Sequence, residues 1–413
     1  MGTTVGEYES ARVEETQGRA EKNVDEGVPS STSKATARML SLDAFRGMTV
    51  AGMILVNNPG TWSAIYSPLK HADWHGWTPT DLVFPFFLFI VGVSITLALG
   101  RRAEGAGSKR DLYVKIVRRA AIIFALGLFL AAFPFYNFTT NAFIDLSTLR
   151  IPGVLQRIAV CYLFASVVFL NTDWRKQIYV AAGLLVAYWA LMALVPVPGF
   201  GPGLLDSKEA NLAAYVDRAV IGVNHIWRQA KVYDPEGILS TLPAIATTLC
   251  GVLTGHLLRS RRTAAEKAAA MFVAGAAGIV AGWAWNYWFP VNKALWTSSY
   301  VLLTAGMALE LLACCFWLID MKGHRAWGKP FVVFGSNALA VFFLTGLFAK
   351  LLGLIKLAGA DGKGVALQTV IYRNLFASWA APVNASLAFA LCFVLLWLGL
   401  IWILYRRGIF IKV

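Results

Sequence analysis

Charge is scarce in this chain, and negative charge scarcer still. Charged residues are 15% of the 413 positions, 23 acidic against 37 basic, where a soluble globular chain carries about a quarter. That excludes an ordinary water-soluble domain. Cysteine is sparse too: Cys161, Cys250, Cys314, Cys315 and Cys392 all lie inside apolar segments. Their spacing fits neither a metal site nor an extracellular disulfide framework, and they read as small buried hydrophobes. Heptads, low-complexity blocks and clear internal repeats are missing, which weighs against inverted-repeat transporter folds. Residues 1 to about 38 carry no apolar run of a secretory leader. Polar and of mixed charge, they are expected to form a disordered cytoplasmic tail ahead of one transmembrane domain over 39–413.

What is present is apolar surface. Hydrophobic residues make up 57% of the chain and the mean hydropathy is +0.59. Unbroken apolar runs of about twenty residues exclude a β-barrel, whose strands alternate, and predict an all-α polytopic membrane protein. Ten spans are expected, near 41–58, 82–100, 116–134, 152–170, 178–196, 238–258, 268–289, 298–319, 331–350 and 385–405. The amphipathic segment 365–381, interrupted by Arg373 and Asn374, reads as an interfacial or re-entrant helix.

The net charge of +14 is not a nucleic-acid signal, because Lys and Arg sit in short blocks at the ends of apolar runs. One set of loops holds Arg101, Arg102, Lys109, Arg110, Lys115, Arg118 and Arg119, and later Arg175, Lys176, Arg259, Arg261 and Arg262. The alternate loops are longer and hold most of the acids. The positive-inside rule then places both termini in the cytoplasm, with the cytoplasmic (inner) membrane as the expected location.

The stretch from Ser41 to Ser94 carries the chemistry. Two apolar runs flank a polar loop of roughly twenty residues, long for a turn, bearing Lys70, His71, Asp73, His75 and Asp81 among Trp62, Trp74 and Trp77. Ionisable groups are costly to leave unpaired this close to hydrocarbon, so their number here points to a functional site. His71 is the leading catalytic candidate, since a neutral imidazole can take a proton from an attacking amine or hydroxyl, or accept an acyl group. A lone histidine is more often an interfacial hydrogen-bonding residue. His71 and His75 share an H-x-x-x-H spacing, but the zinc-protease glutamate is missing and Gly76 and Pro79 oppose a helix, so no metal is expected.

Three further polar stretches fall on the His71 side: the loop before the fourth span with Arg150, the loop 197–237 ending in Asp234 and Glu236, and the segment with Asn292, Lys293 and Trp296. Together with Trp74 and Asp81 they are candidate substrate-binding residues. Rings stack on indoles, and sugar hydroxyls need paired donors and acceptors. The plainer reading is water-facing loops with tryptophan anchors. At the basic end, Asp43 and Arg46 share a helix face near Arg101, Arg102, Arg118 and Arg119, a cluster suited to phosphates. Arg46 and Asn57 are eleven positions apart, roughly 16 Å of helix, comparable with a pantetheine arm. A coenzyme A thioester suits this spacing, with Arg157, Ser336 and Asn337 as further candidates along its route. Glu310 is the candidate counter-charge for Arg157.

At these residues the chain resembles a known family. SLDAFRG, MILVNNPG, KHADWHGWTPTDLVFPFFLFIVGVS, RIPGVLQRIAV, YDPEGILSTLPA, VNKALWTSSYVLLTAG and FGSNALAVF together look like the heparan-α-glucosaminide N-acetyltransferase family of transmembrane acyltransferases, from about residue 38 onward. The resemblance implies transfer of acetyl from cytosolic acetyl-CoA to the amine of a glucosamine-type sugar, with His71 and Asn57 matching the catalytic histidine and asparagine. Eukaryotic lysosomal members have a further luminal domain and span, so a compact prokaryotic-type relative is expected. A homodimer is expected by analogy. The alternatives are an O-acyltransferase of a periplasmic glycan and a sugar permease.

Overall fold

Leucine-, alanine- and phenylalanine-rich runs this long satisfy their backbone hydrogen bonds internally as helices, and helices dominate the structure. The computed structural model describes residues 39–103, 108–137, 141–358 and 364–411. The tail expected over 1–38 lies outside them. Leu40–Val413 clusters as one unit.

The helices are α1 (Leu40–Asn57), α2 (Val83–Ala103), α3 (Lys109–Ala132), α4 (Val154–Asn171), α5 (Trp174–Leu194), a short α6 (Leu212–Val220), α7 (Thr241–Arg259), α8 (Ala264–Trp285), α9 (Ser298–Cys315, continuing as a wider turn over Phe316–Met321), α10 (Lys329–Ser336), α11 (Ala338–Leu354), a short α12 (Leu367–Leu375) and α13 (Pro382–Arg406). Two-stranded antiparallel ribbons, β1–β2 (Tyr136–Asn137 with Ala142–Phe143) and β3–β4 (Lys356–Ala358 with Gly364–Ala366), close two loops. The sequence chemistry marks the helix starts. Asp173 caps α5 by accepting from Arg175 N and Lys176 N, and Thr263 and Glu266 form a capping box on α8. Pro382 opens α13.

Among the described residues seven helices are long and apolar enough to cross a membrane, and the pair α10–α11, bent by 81°, makes an eighth. Helices also occupy the other two expected positions, as α1 and α3. The expected span at 116–134 begins earlier, at Lys109, so α3 carries its basic residues inside the helix. The expected span at 331–350 is broken at Asn337. Its side chain is drawn away from the helix axis, donating to Ile409 O (3.2 Å) and accepting from Ile411 N (2.7 Å). The amphipathic segment at 365–381 forms α12, packed on the loop after α1: Gln368 Nε2 donates to Pro59 O (3.2 Å).

α2, α7 and α9 are the inner helices; the apolar window of α7 is 67% buried, that of α8 only 22%. The most extensive pairings are α8 with α9, α2 with α7 and α1 with α10. Glycine permits the tightest of them. A Cβ on Gly92 would overlap Thr248 O, and one on Gly251 would overlap Phe89 O, so α2 and α7 cross backbone to backbone. Inside the bundle Thr247 and Thr304 each donate to the carbonyl four residues back on their own helix, while Thr96 of α2 donates across to Val252 O of α7 (3.0 Å).

Candidate active site

His71 lies in the loop between α1 and α2, held by a carboxylate from the turn (Pro79–Leu82) that leads into α2. Asp81 Oδ1 is 2.6 Å from His71 Nδ1. Its Oδ2 accepts from Ala72 N (3.1 Å) and Thr78 N (3.0 Å), with Thr78 Oγ1, which donates to Lys70 O (2.6 Å), 3.2 Å away. Held by the imidazole and two backbone donors, the buried Asp81 carboxylate is fixed. With Nδ1–H donated to Asp81, Nε2 is left as the basic nitrogen, on a side chain half exposed. From beneath, Tyr300 of α9 donates to Asp81 O at 2.5 Å.

The loop after α8 meets this loop edge to edge. Gly76, at φ +89°, donates from its N to Val291 O (2.7 Å) and pairs with Asn292. The turn brings in Lys293, whose Nζ is 3.0 Å from His71 Nδ1, 3.2 Å from Nε2 and 3.6 Å from Asp81 Oδ1. Burial pushes the Lys293 ammonium below its ordinary pKa, against the opposing pull of Asp81 and Glu236.

Glu236 ties this centre to a second cluster. Arg150 donates Nε and Nη2 to Asp234 (2.8 and 2.6 Å) and Nη2 to Glu236 (2.5 Å). The Asp234 side chain is fully buried. Burial works against the Arg150 charge, but the bond to Asp234 and the charges of Glu236 and Asp234 outweigh it and hold its pKa above the ordinary value. Asp217 of α6 closes the cluster, accepting from Ile238 N (2.9 Å) and Asp234 N (3.3 Å).

The sequence candidates separate into groups. His71, Asp81, Lys293, Arg150, Asp234 and Glu236 come together. Trp74 Nε1 donates to Leu205 O (2.8 Å) and its ring meets Tyr233 edge-on, tying the loop 197–237 over the His71 loop. Asn292 and Trp296 are buried. Asn292 Oδ1 accepts from Leu295 N (2.9 Å), and Trp296 packs on Tyr300 and donates to Thr247 Oγ1 (3.1 Å). Arg157 lies under this layer rather than at the basic end, donating to Ser240 Oγ (2.5 Å) and Gly237 O (3.0 Å) with its guanidinium on the Trp296 ring. Its Nε and Nη1 have no hydrogen-bond partner among the described residues. Glu310 sits instead against Gly275 of α8. Asn57 ends α1 with an exposed amide that makes no hydrogen bond among the described residues.

At the opposite end, Arg46 donates to Asp43 (2.9 Å), Ser94 Oγ (2.9 Å) and Gly335 O (3.3 Å), knitting α1 to α2 and α10. Ser94 lines a cavity of about 350 Å³ with Lys115, Arg118, Arg119 and Tyr162. Arg119 lies over the Tyr162 ring. Ser336 donates to Val333 O (2.7 Å). The side chains of Arg101 and Arg102 lie outside the described residues. A basic, ring-lined cavity of this kind fits the phosphates and adenine of coenzyme A. No group of three or more metal-ligating side chains occurs among the described residues.

Sequence reading missed Thr78, Ser94 and Tyr300. Thr78 carried a signal, because Thr-x-x-Asp ahead of an apolar run is a capping pattern. The other two carried none, being ordinary hydroxyls in apolar segments.

A family model described as heparan-alpha-glucosaminide N-acetyltransferase, catalytic, matches residues 38–285. The chain belongs to this family. The match contains His71, Asp81, Arg150, Asp234 and Glu236 and stops short of Lys293. The heparan-alpha-glucosaminide N-acetyltransferase of Mus musculus is 29% identical over 365 residues, 76% of this chain and 54% of that protein. That of Homo sapiens is 28% identical over 432 residues, 91% of this chain and 60% of that protein. The chain thus spans little more than half the length of these curated relatives.

Proposed function

We propose that this family member is a multi-pass inner-membrane acetyltransferase that moves acetyl from cytosolic acetyl-CoA to the amine of a glucosamine-type sugar on the non-cytoplasmic side. Both termini face the cytoplasm in this reading. The observation that carries it is the Asp81–His71–Lys293 centre, a half-exposed imidazole whose tautomer is set by a buried carboxylate.

Acetyl-CoA supplies an activated acetyl carbon, and the cavity lined by Ser94, Lys115, Arg118 and Arg119 is where its phosphates would be held. Asp81 orients His71, and Nε2 takes the proton released as the sugar amine forms its C–N bond and the C–S bond breaks. That proton leaves with the coenzyme A thiol, so His71 returns to its starting state. The unengaged Asn57 amide is available to donate to the negative charge growing on the acetyl oxygen. The Arg150, Asp234 and Glu236 cluster supplies the polar wall facing the acceptor.

The test is His71→Ala in purified protein given acetyl-CoA and glucosamine. Acetyl-CoA binding is expected to persist while thiol release and acetylated product fall to background. Full-rate acetylation would remove His71 from the reaction. A labelled acetyl group retained on wild-type protein without acceptor would instead establish a covalent acetyl-histidine route.

A further inference from the structure

Beside the acceptor-side cluster, and sharing Arg150 with it, is a second cavity, of about 470 Å³, between α3, α4 and α11. We propose that it binds the phosphate-bearing headgroup of an anionic membrane lipid, with the acyl chain against the helix walls. Three cations line it, Arg150, Arg228 and Lys350, and the apolar side is Leu130, Leu155 and Phe342. Gln156 stands at its floor. It is only 5% exposed, is pressed against Gly127 and Gly153, and makes no hydrogen bond among the described residues. Its carboxamide lies against Gly127 and Gly153, which line the cavity with it, so it is placed to take a polar group of a ligand held there.

Arg150 is already balanced by Asp234 and Glu236, and the other two cations keep capacity for a ligand. Arg228 uses one nitrogen, Nη2, on Thr148 O (3.1 Å) and Thr148 Oγ1 (2.8 Å). Lys350 donates to Leu130 O and Phe133 O, two of its three protons. Arginine and lysine converging at the end of membrane-spanning helices suit phosphate oxygens. A lipid is favoured over a soluble anion by the surroundings. Phe143 and Leu146, on the segment that contributes Ile144 and Thr148 to the lining, are 83% and 68% exposed. Such side chains are at home in hydrocarbon rather than water.

Native mass spectrometry of the full chain in detergent tests this, titrating phosphatidylglycerol, phosphatidylcholine and glycerol 3-phosphate separately. The wild-type chain is expected to retain phosphatidylglycerol in preference to the other two. Arg228→Gln and Gln156→Leu are each expected to weaken it about tenfold, the loss of one hydrogen bond to a charged group. Arg228 is exposed, so its variant keeps the test decisive even if Gln156→Leu misfolds. Unchanged retention in folded Arg228→Gln would overturn the proposal. So would equal binding of phosphatidylcholine, or of glycerol 3-phosphate, which lacks the chain. The readout is binding alone, so it is independent of the transferase reading.

Discussion

His71 and Asp81 stand ten positions apart in sequence, and their Nδ1 and Oδ1 atoms are 2.6 Å apart in space, one side chain half exposed and the other 1% exposed. The half-exposed imidazole, with Lys293 Nζ 3.2 Å from its Nε2, keeps an open face, while the buried carboxylate cannot turn away. In the proposed reaction that asymmetry divides the labour between a proton acceptor and the group that orients it.

Asp81→Asn should therefore cost more than its size change implies. The amide can present its NH₂ to Nδ1 and so reverse the tautomer, placing the proton on Nε2. Activity by thiol release should fall about 10³-fold or more, while acetyl-CoA binding at the far end of the bundle stays within experimental error. A rate near wild type would show that Asp81 does not set the tautomer.

Arg150→Gln leaves Asp234 fully buried and Glu236 nearly so, with their cation gone. Breaking a buried pair from one side costs about 3 kcal/mol or more, and should lower the thermal unfolding midpoint in detergent. Arg150→Lys keeps the charge but not the two-pronged bond to Asp234, and should recover only part of the loss.

Asp217 imposes a pH dependence on stability. Burial pushes its carboxyl up to about 6, against the opposing hydrogen bonds from Ile238 N and Asp234 N. The folded state therefore binds a proton that the unfolded chain gives up near pH 4. This contribution is fully present below pH 4 and is lost as pH rises through 6, on the order of 3 kcal/mol in all. Wild type should thus lose midpoint between pH 4 and pH 7 relative to Asp217→Asn, which cannot titrate. Parallel midpoints for the two proteins across that range would refute the assignment.

The basic cavity makes a kinetic prediction. Arg118→Gln with Arg119→Gln should raise the KM for acetyl-CoA roughly tenfold or more, because two hydrogen bonds to charged phosphate are lost. kcat should change little, since both residues lie at the opposite end from His71. A drop in kcat at constant KM would move these arginines out of donor binding.

Part of this architecture is legible in the residues alone. Apolar runs mark helices at all ten expected positions, and Thr78-x-x-Asp81 carries the pattern of a cap. The grouping of Arg150 with Asp234 and Glu236 follows from loop order, because alternate loops of a polytopic chain must emerge on one side. The Asn337 bend is hidden, since it depends on a C-terminal strip more than seventy residues later. Glu310, the candidate counter-charge for Arg157, is not paired with it among the described residues, because hydropathy says how deep a side chain sits but not which way round the helix it faces.

By itself the amino-acid order determined that this chain is a helical membrane protein with a polar, histidine-bearing loop at one end and arginines at the other. Hydrophobic length and charge placement are properties of single segments, readable without partners. Only the tertiary structure decided that Lys293 reaches His71 across 222 positions, that Trp296 and Asn292 are buried, and that Gln156 makes no hydrogen bond among the described residues beside an open volume. Those outcomes depend on how far glycines let helices approach and on which way each turn aims its side chain, and neither is set by any one segment.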